Sequence, residues 1–162
     1  MLVKGRVIFL TIENAFQDME GRAIVDTGFL VALLNRTDDY HTWASGLVPA
    51  LRGPWLTAEA CISEATFLLE EAGRPAVERL FQWMEKELLL SRHFLPDEVE
   101  PVRTEMFRYR SRWVNMADAC LVVMSDKHPR LPVATVDAKD FAVYFRGRST
   151  RQLLAPKKLN RE

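Results

Sequence analysis

Short apolar runs alternating with longer amphipathic stretches set the rhythm of this chain. Ala23-Ile24-Val25 is a continuous apolar run stopped by Asp26-Thr27-Gly28, which reads as a buried strand ending in a polar turn. Trp55-Leu56-Thr57, residues 88–95 and Val133 to Val136 read as further strands, the last ending in Asp137, and Val143-Tyr144-Phe145 as a final short one. Between them the pattern turns helical: residues 29–34, a helix from Asp38 or Asp39 to about Leu51 ended by Gly53-Pro54, and Ala58 to Ala72 stopped by Gly73. Pro75 opens a helix to about Lys86, Pro96 one to about Tyr109, and Asn115 an apolar helix to about Ser125.

Buried strands alternating with helices predict an α/β fold, with a mostly parallel central sheet covered by helices on both faces. In such sheets the functional crevice lies beyond the carboxyl ends of the strands, where Asp26 and Asp137 stand.

Three further carboxylates join these two. In the helix AEACISEATFLLEEAG, Cys61, Ala65, Leu68 and Ala72 centre the apolar face, and Glu64 lies about 80° from that centre at 100° per residue. Glu59 and Glu70 fall nearly opposite, toward solvent. The stretch MADACLVVM is apolar all round except for Asp118, and an unpaired carboxylate on a buried helix costs several kcal/mol or takes up a proton. Asp140 follows Asp137 by one short turn, with Thr135 placed to hydrogen-bond a neighbouring carboxylate. Singly, each has a plain structural use: Asp26 and Asp140 as caps, Asp118 in a first turn capped by Asn115, Glu64 as a snorkelling edge residue. Together they form a set that would repel strongly without cations, and carboxylates with water are what magnesium and manganese prefer. His41, His93, His128, Cys61 and Cys120 lie at no ligand-like spacing, so a zinc site is not expected.

Composition narrows the class. At 162 residues the chain is expected to be one domain, and 48% hydrophobic against 27% charged excludes a disordered chain. No apolar stretch approaches the ~20 residues of a membrane helix. Two cysteines make no disulfide framework and suit a reducing cytoplasm. Residues 1–21 read as a lead-in or extra strand, because the apolar run from Val7 to Ile12 is too short for a secretory signal, and Met19 is an alternative start. The domain is placed at 22–150 and a basic tail at 151–162. Lys and Arg total 22 against 22 Asp and Glu, so net charge gives no argument for nucleic acid. Its distribution does: Arg108, Arg110 and Arg112 precede the Asp118 helix, and Arg146, Arg148 and Arg151 follow the Asp137 segment.

The segments IVDTGFLVALLNRTDDYH, RYRSRWVNMADACLVVMSD and LPVATVDAKDFAVYFRGR, with the Glu64 helix, resemble PIN-domain proteins, and specifically the VapC toxins of toxin–antitoxin pairs. The ordered set Asp26, Glu64, Ala117-Asp118-Ala119 and Thr135-x-Asp137-x-x-Asp140-Phe141 carries the resemblance over about residues 22–150. It implies a single PIN-like domain in which Asp26, Glu64, Asp118 and Asp137 are catalytic and metal-binding, Asp140 is a further ligand, and Thr27, Thr135 and Asn115 are accessory. Many relatives have an aspartate where Asn115 stands, so this chain keeps the capping oxygen and loses one charge.

The implied activity is Mg²⁺- or Mn²⁺-dependent endoribonucleolytic cleavage, in which metal-activated water attacks the phosphodiester and an antitoxin protein restrains the enzyme. The arginines at 108, 110, 112, 146 and 148 would grip RNA phosphates and Trp113 would stack a base. A homodimer is expected from the resemblance. The alternatives are a catalytically weak or inactive PIN-fold module acting through protein partners, and a DNA-directed nuclease of the same fold. A phosphatase or receiver domain fits less well, since Asp-Thr-Gly lacks the second aspartate of Asp-x-Asp and no Gly-rich phosphate loop is present.

Overall fold

The computed structural model describes residues 7–9 as backbone, 23–148 and 151–157. In chain order the elements are Val7–Phe9 (β1), Ile24–Val25 (β2), Thr27–Leu34 (α1), His41–Leu47 (α2), Trp55–Thr57 (β3), Glu59–Leu68 (α3) and Arg74–Glu85 (α4). Leu89–Ser91 (β4), Leu95–Met106 (α5), Met116–Lys127 (α6), Val133–Ala134 (β5), Ala138–Tyr144 (α7) and Arg151–Leu154 (β6) complete them. The described strands form one six-stranded sheet in the order β1-β6-β5-β2-β3-β4, and every neighbouring pair is parallel. It is the PIN-like α/β arrangement that the resemblance implies.

The central strands β2, β3 and β5 are buried throughout and cross the core in two or three residues. Alternate side chains sort to opposite faces. Val25, Trp55, Leu89, Ala134 and Leu154 join the cluster under α1, α2 and α4, where Phe29, Leu47 and Leu80 are buried. Ile24, Leu56, Val133 and Leu153 join the other, under α5, α6 and α7, with Val102, Leu121 and Phe141. Helix α3 straddles the two, sending Ile62 and Ala65 to the first and Cys61 to the second.

Three expectations are corrected. Residues 143–145 form no strand: Val143 and Tyr144 end α7, because the helical turn capped by Asp137 carries on through Phe141 and Tyr144 into the core. Residues 151–154 are no tail: they form β6, which lies between β1 and β5 with Leu153 and Leu154 buried. On α3 the buried side is centred on Ile62 and Leu69 as well as Cys61 and Ala65, and Leu68 is exposed. The extra strand expected near the start is β1, at Val7–Phe9. Met19 and residues 158–162 lie outside the described residues.

Candidate active site at the carboxyl ends of the central strands

The sheet reverses its build order at β2. The chain adds β3 and β4 on one side of it, then returns through α5 and α6 to place β5 on the other. Helices leave β2 and β5 in opposite directions, which opens a crevice beyond their carboxyl ends. Asp26 ends β2, Asp137 follows β5, and both cap the helices that start there.

Asp26 is 6% exposed. Its Oδ1 accepts the Phe29 N–H at 2.6 Å, and its Oδ2 accepts the Thr135 hydroxyl. The same Thr135 oxygen accepts the Asp137 N–H at 2.9 Å, so one buried threonine ties the two strand ends together. Gly28 makes that proximity possible: a Cβ there would stand 2.3 Å from Val136 Cγ2, so the first turn of α1 packs directly on the β5–α7 connection. Glu64 enters from α3, where its Oε2 accepts the Thr27 hydroxyl at 2.7 Å. Asp118 enters from the first turn of α6, whose cap Asn115 accepts the Asp118 N–H at 2.8 Å. Asp137 caps α7 by accepting the Asp140 N–H at 3.3 Å.

The electrostatics show one cluster. Burial, reinforced by the charges of Asp118 and Asp137, pushes Asp26 up to about 7 despite its bonds from Thr135 and Phe29. Asp118 is pushed up to about 6, again by burial first, with Asp137, Glu64 and Asp140 adding repulsion and the Tyr144 bond opposing it. Asp137 is raised by burial and by Asp140, with Arg112 pulling the other way. Each of the five expected carboxylates is therefore linked to the set, with Asp118 linked electrostatically to all the others. Among the described residues, no three His, Cys, Asp or Glu side chains already stand as a chelating group. Glu64 and Asp140 point to Thr27 and Arg112, and Asp26 to Thr135.

The expected RNA-facing residues divide. Trp113 is 69% exposed and meets exposed Phe107 edge-on at 5.5 Å. Arg110 and Arg112 share its concave loop, residues 106–113, which spans about 510 Å³. Arg112 pairs with Asp140 at the rim of the acidic crevice. Arg108 lies 5.7 Å from the centre of the Tyr109 ring, and donates to Glu105 at 3.5 Å and to the Arg146 carbonyl at 3.4 Å. Arg146 has an exposed side chain. Arg148 is not presented to a ligand: its side chain is 11% exposed and pairs with Glu105 and Asp126. Arg151 is likewise turned inward to Asp126, at 2.7 Å. Both are drawn in by acids, the buried Glu105 on α5 and the more exposed Asp126 on α6.

Sequence reasoning missed Tyr144, whose hydroxyl donates to Asp118 Oδ2 at 3.2 Å. Its spacing four residues after Asp140 is the only trace it leaves, and that trace vanishes if 143–145 is read as a strand. Away from the crevice, burial raises the Cys61 thiol to about 12, an unreactive core position.

Comparison with solved structures finds this arrangement again. The crystal structure of the Mycobacterium tuberculosis toxin VapC20, a sarcin–ricin loop cleaving toxin, superposes with a TM-score of 0.67 at 23% sequence identity. The match covers 78% of this chain and 98% of that one, which shows that the two share a fold. No family model matches the sequence, and no curated protein does.

Proposed function

We propose that this chain is a metal-dependent endoribonuclease of the VapC toxin type. The observation that carries the reading is the convergence of Asp26, Glu64, Asp118, Asp137 and Asp140 at the switch point of a fold shared with a toxin that cleaves RNA. The donor chemistry fits Mg²⁺ or Mn²⁺: the set is all oxygen, and its mutual repulsion is what a divalent cation would relieve. Asp26, Asp118 and Asp137 would hold the ion, with Glu64 and Asp140 released from Thr27 and Arg112 to join directly or through water. When bound, it supplies an acidified water for in-line attack and charge neutralisation at the phosphate.

The remaining work falls to side chains already in place. Thr135 keeps Asp26 and Asp137 aligned across the β2–β5 gap. Asn115 supplies the cap for α6 and so sets the depth of Asp118. Arg112, freed from Asp140, meets the phosphate that displaces it, since arginine recognises phosphate by the same bidentate geometry it offers a carboxylate. Trp113 provides a face for an unpaired base and Arg110 a neighbouring cation. Two further parts of the proposal follow the toxin type: a homodimer, and an antitoxin partner whose arginine would enter the carboxylates as Arg112 does. No helix among the described residues is long and apolar enough to cross a membrane, and the proposed setting is the cytoplasm.

The test is cleavage of structured RNAs by partner-free protein with Mn²⁺, with chelator, and with Asp118→Ala. Metal-dependent products from wild type alone support the proposal. Equal cleavage by Asp118→Ala overturns it, and folded protein that binds partners but never cuts RNA points to the binding-module alternative. Size exclusion reads the dimer.

A further inference from the structure

We infer that Tyr144 is a positioning residue, whose hydroxyl fixes the direction of the Asp118 carboxylate and so sets the divalent-cation affinity of the crevice. This rests on the metal-site reading above and adds a residue that it does not contain. Three hydroxyls serve three carboxylates here: Thr135 donates to Asp26, Thr27 to Glu64 and Tyr144 to Asp118. The two threonines stand just beyond β2 and β5 and reach acids 37 and 109 residues away. Tyr144 alone comes from the far end of a helix.

Its ring has little freedom. The residue is 2% exposed, packs edge-on against Phe141 at 5.5 Å and lies tilted beside Tyr109 at 6.4 Å. The Tyr109 hydroxyl donates to the Val143 carbonyl at 3.1 Å and holds that pair together from the 106–113 loop. A ring so confined delivers its hydroxyl to one place, Asp118 Oδ2, and leaves Oδ1 open to other partners. The 3.2 Å separation is at the long end for such a bond. The carboxylate stands among the like charges of Asp137, Glu64 and Asp140, and the Tyr144 bond opposes their push. Groups that hold a metal ligand in this way typically change metal affinity by about 10–100-fold when removed.

The experiment is Mn²⁺ titration of the full chain by calorimetry, with electron paramagnetic resonance of the bound ion, for wild type, Tyr144→Phe and Asp118→Asn. The Phe variant keeps the ring and loses only the hydroxyl. It should melt like wild type in chelator, bind Mn²⁺ about tenfold more weakly, and recover RNA cleavage as Mn²⁺ is raised. Wild-type affinity in Tyr144→Phe overturns the inference and leaves the metal site standing. Failure of wild type itself to bind Mn²⁺ overturns the metal reading, and this inference with it. Should Tyr144→Phe melt early, Tyr109→Phe gives the second measurement, and unchanged affinity there counts against the brace.

Discussion

Helix α6 carries an aspartate near each end, and the two meet opposite surroundings. Near its carboxyl end, Asp126 faces Arg148 and Arg151, and Arg148 also pairs with Glu105 on α5. Near its amino end, Asp118 faces Asp26, Glu64, Asp137 and Asp140, and Arg112 is bound to the last of these. One cluster answers its acids with guanidinium groups; the other collects acids, and in it Asp26, Asp118 and Asp137 are pushed up by burial and by neighbouring carboxylates. The first has the form of a structural clamp holding α5, α6 and β6 together. The second concentrates like charges, which is costly for stability and is a pattern that clusters at functional sites.

The contrast can be broken at either cluster. The largest effect is expected from Asp118→Asn, which should cut RNA cleavage at least about a hundredfold, the upper range for groups that only support a ligand. It should nevertheless leave a protein at least as stable as wild type at pH 8, because it removes a repelled charge. Cleavage assays paired with thermal melts read both, and a variant that loses stability and activity together would make Asp118 structural. Next comes Arg148→Met, which takes the nearer of two arginines from buried Glu105 and leaves Asp126 to Arg151. Breaking a buried pair from one side should cost about 3 kcal/mol, seen by denaturant titration, with Mn²⁺ affinity unaltered.

A smaller effect concerns pH. Asp118 rests near 6 when folded against 3.8 ordinarily, so the folded state keeps its proton where the unfolded chain has lost it. The Asp118 contribution to stability therefore falls as pH rises from about 4 to about 6 and is level beyond, while Asp26 extends its own fall to about 7. Asparagine is neutral throughout, so in chelator Asp118→Asn should match wild type near pH 4 and gain on it up to about pH 6. A difference in melting temperature that stays flat across that range would sink the assignment. Smallest is Arg112→Gln: a half-exposed pair contributes up to about 1 kcal/mol, so melting should barely move while RNA affinity weakens. Unchanged RNA affinity would return Arg112 to a plain surface pairing.

Much of this was legible before any coordinates. The strand ends at Asp26 and Asp137 and the lone carboxylate of MADACLVVM are local signals, written in a few adjacent residues, and each lies where expected. The arginines were harder, because their fate depends on what faces them across space. Arg110 and Arg148 look alike in sequence, yet one is exposed on a loop and the other inserts between Glu105 and Asp126. The β6 segment was lost for a related reason: RQLL is one short run beside a basic tail, and only pairing with β1 and β5 makes it a strand. Tyr144 was lost because a phenol's partner across 26 residues leaves no periodic trace.

What the sequence determined by itself is the class of fold, six of the seven described helices, and the strand-end and first-turn places of Asp26, Asp137 and Asp118, because hydrophobic period and capping act over a few residues. What only the tertiary structure decided is which charges meet. The switch between β2 and β5, the close approach that Gly28 permits, and the inward turn of Arg148 are set by packing between distant segments. Electrostatic energy depends on those separations, so the balance of 22 and 22 acquires meaning only once folding has sorted acids from arginines.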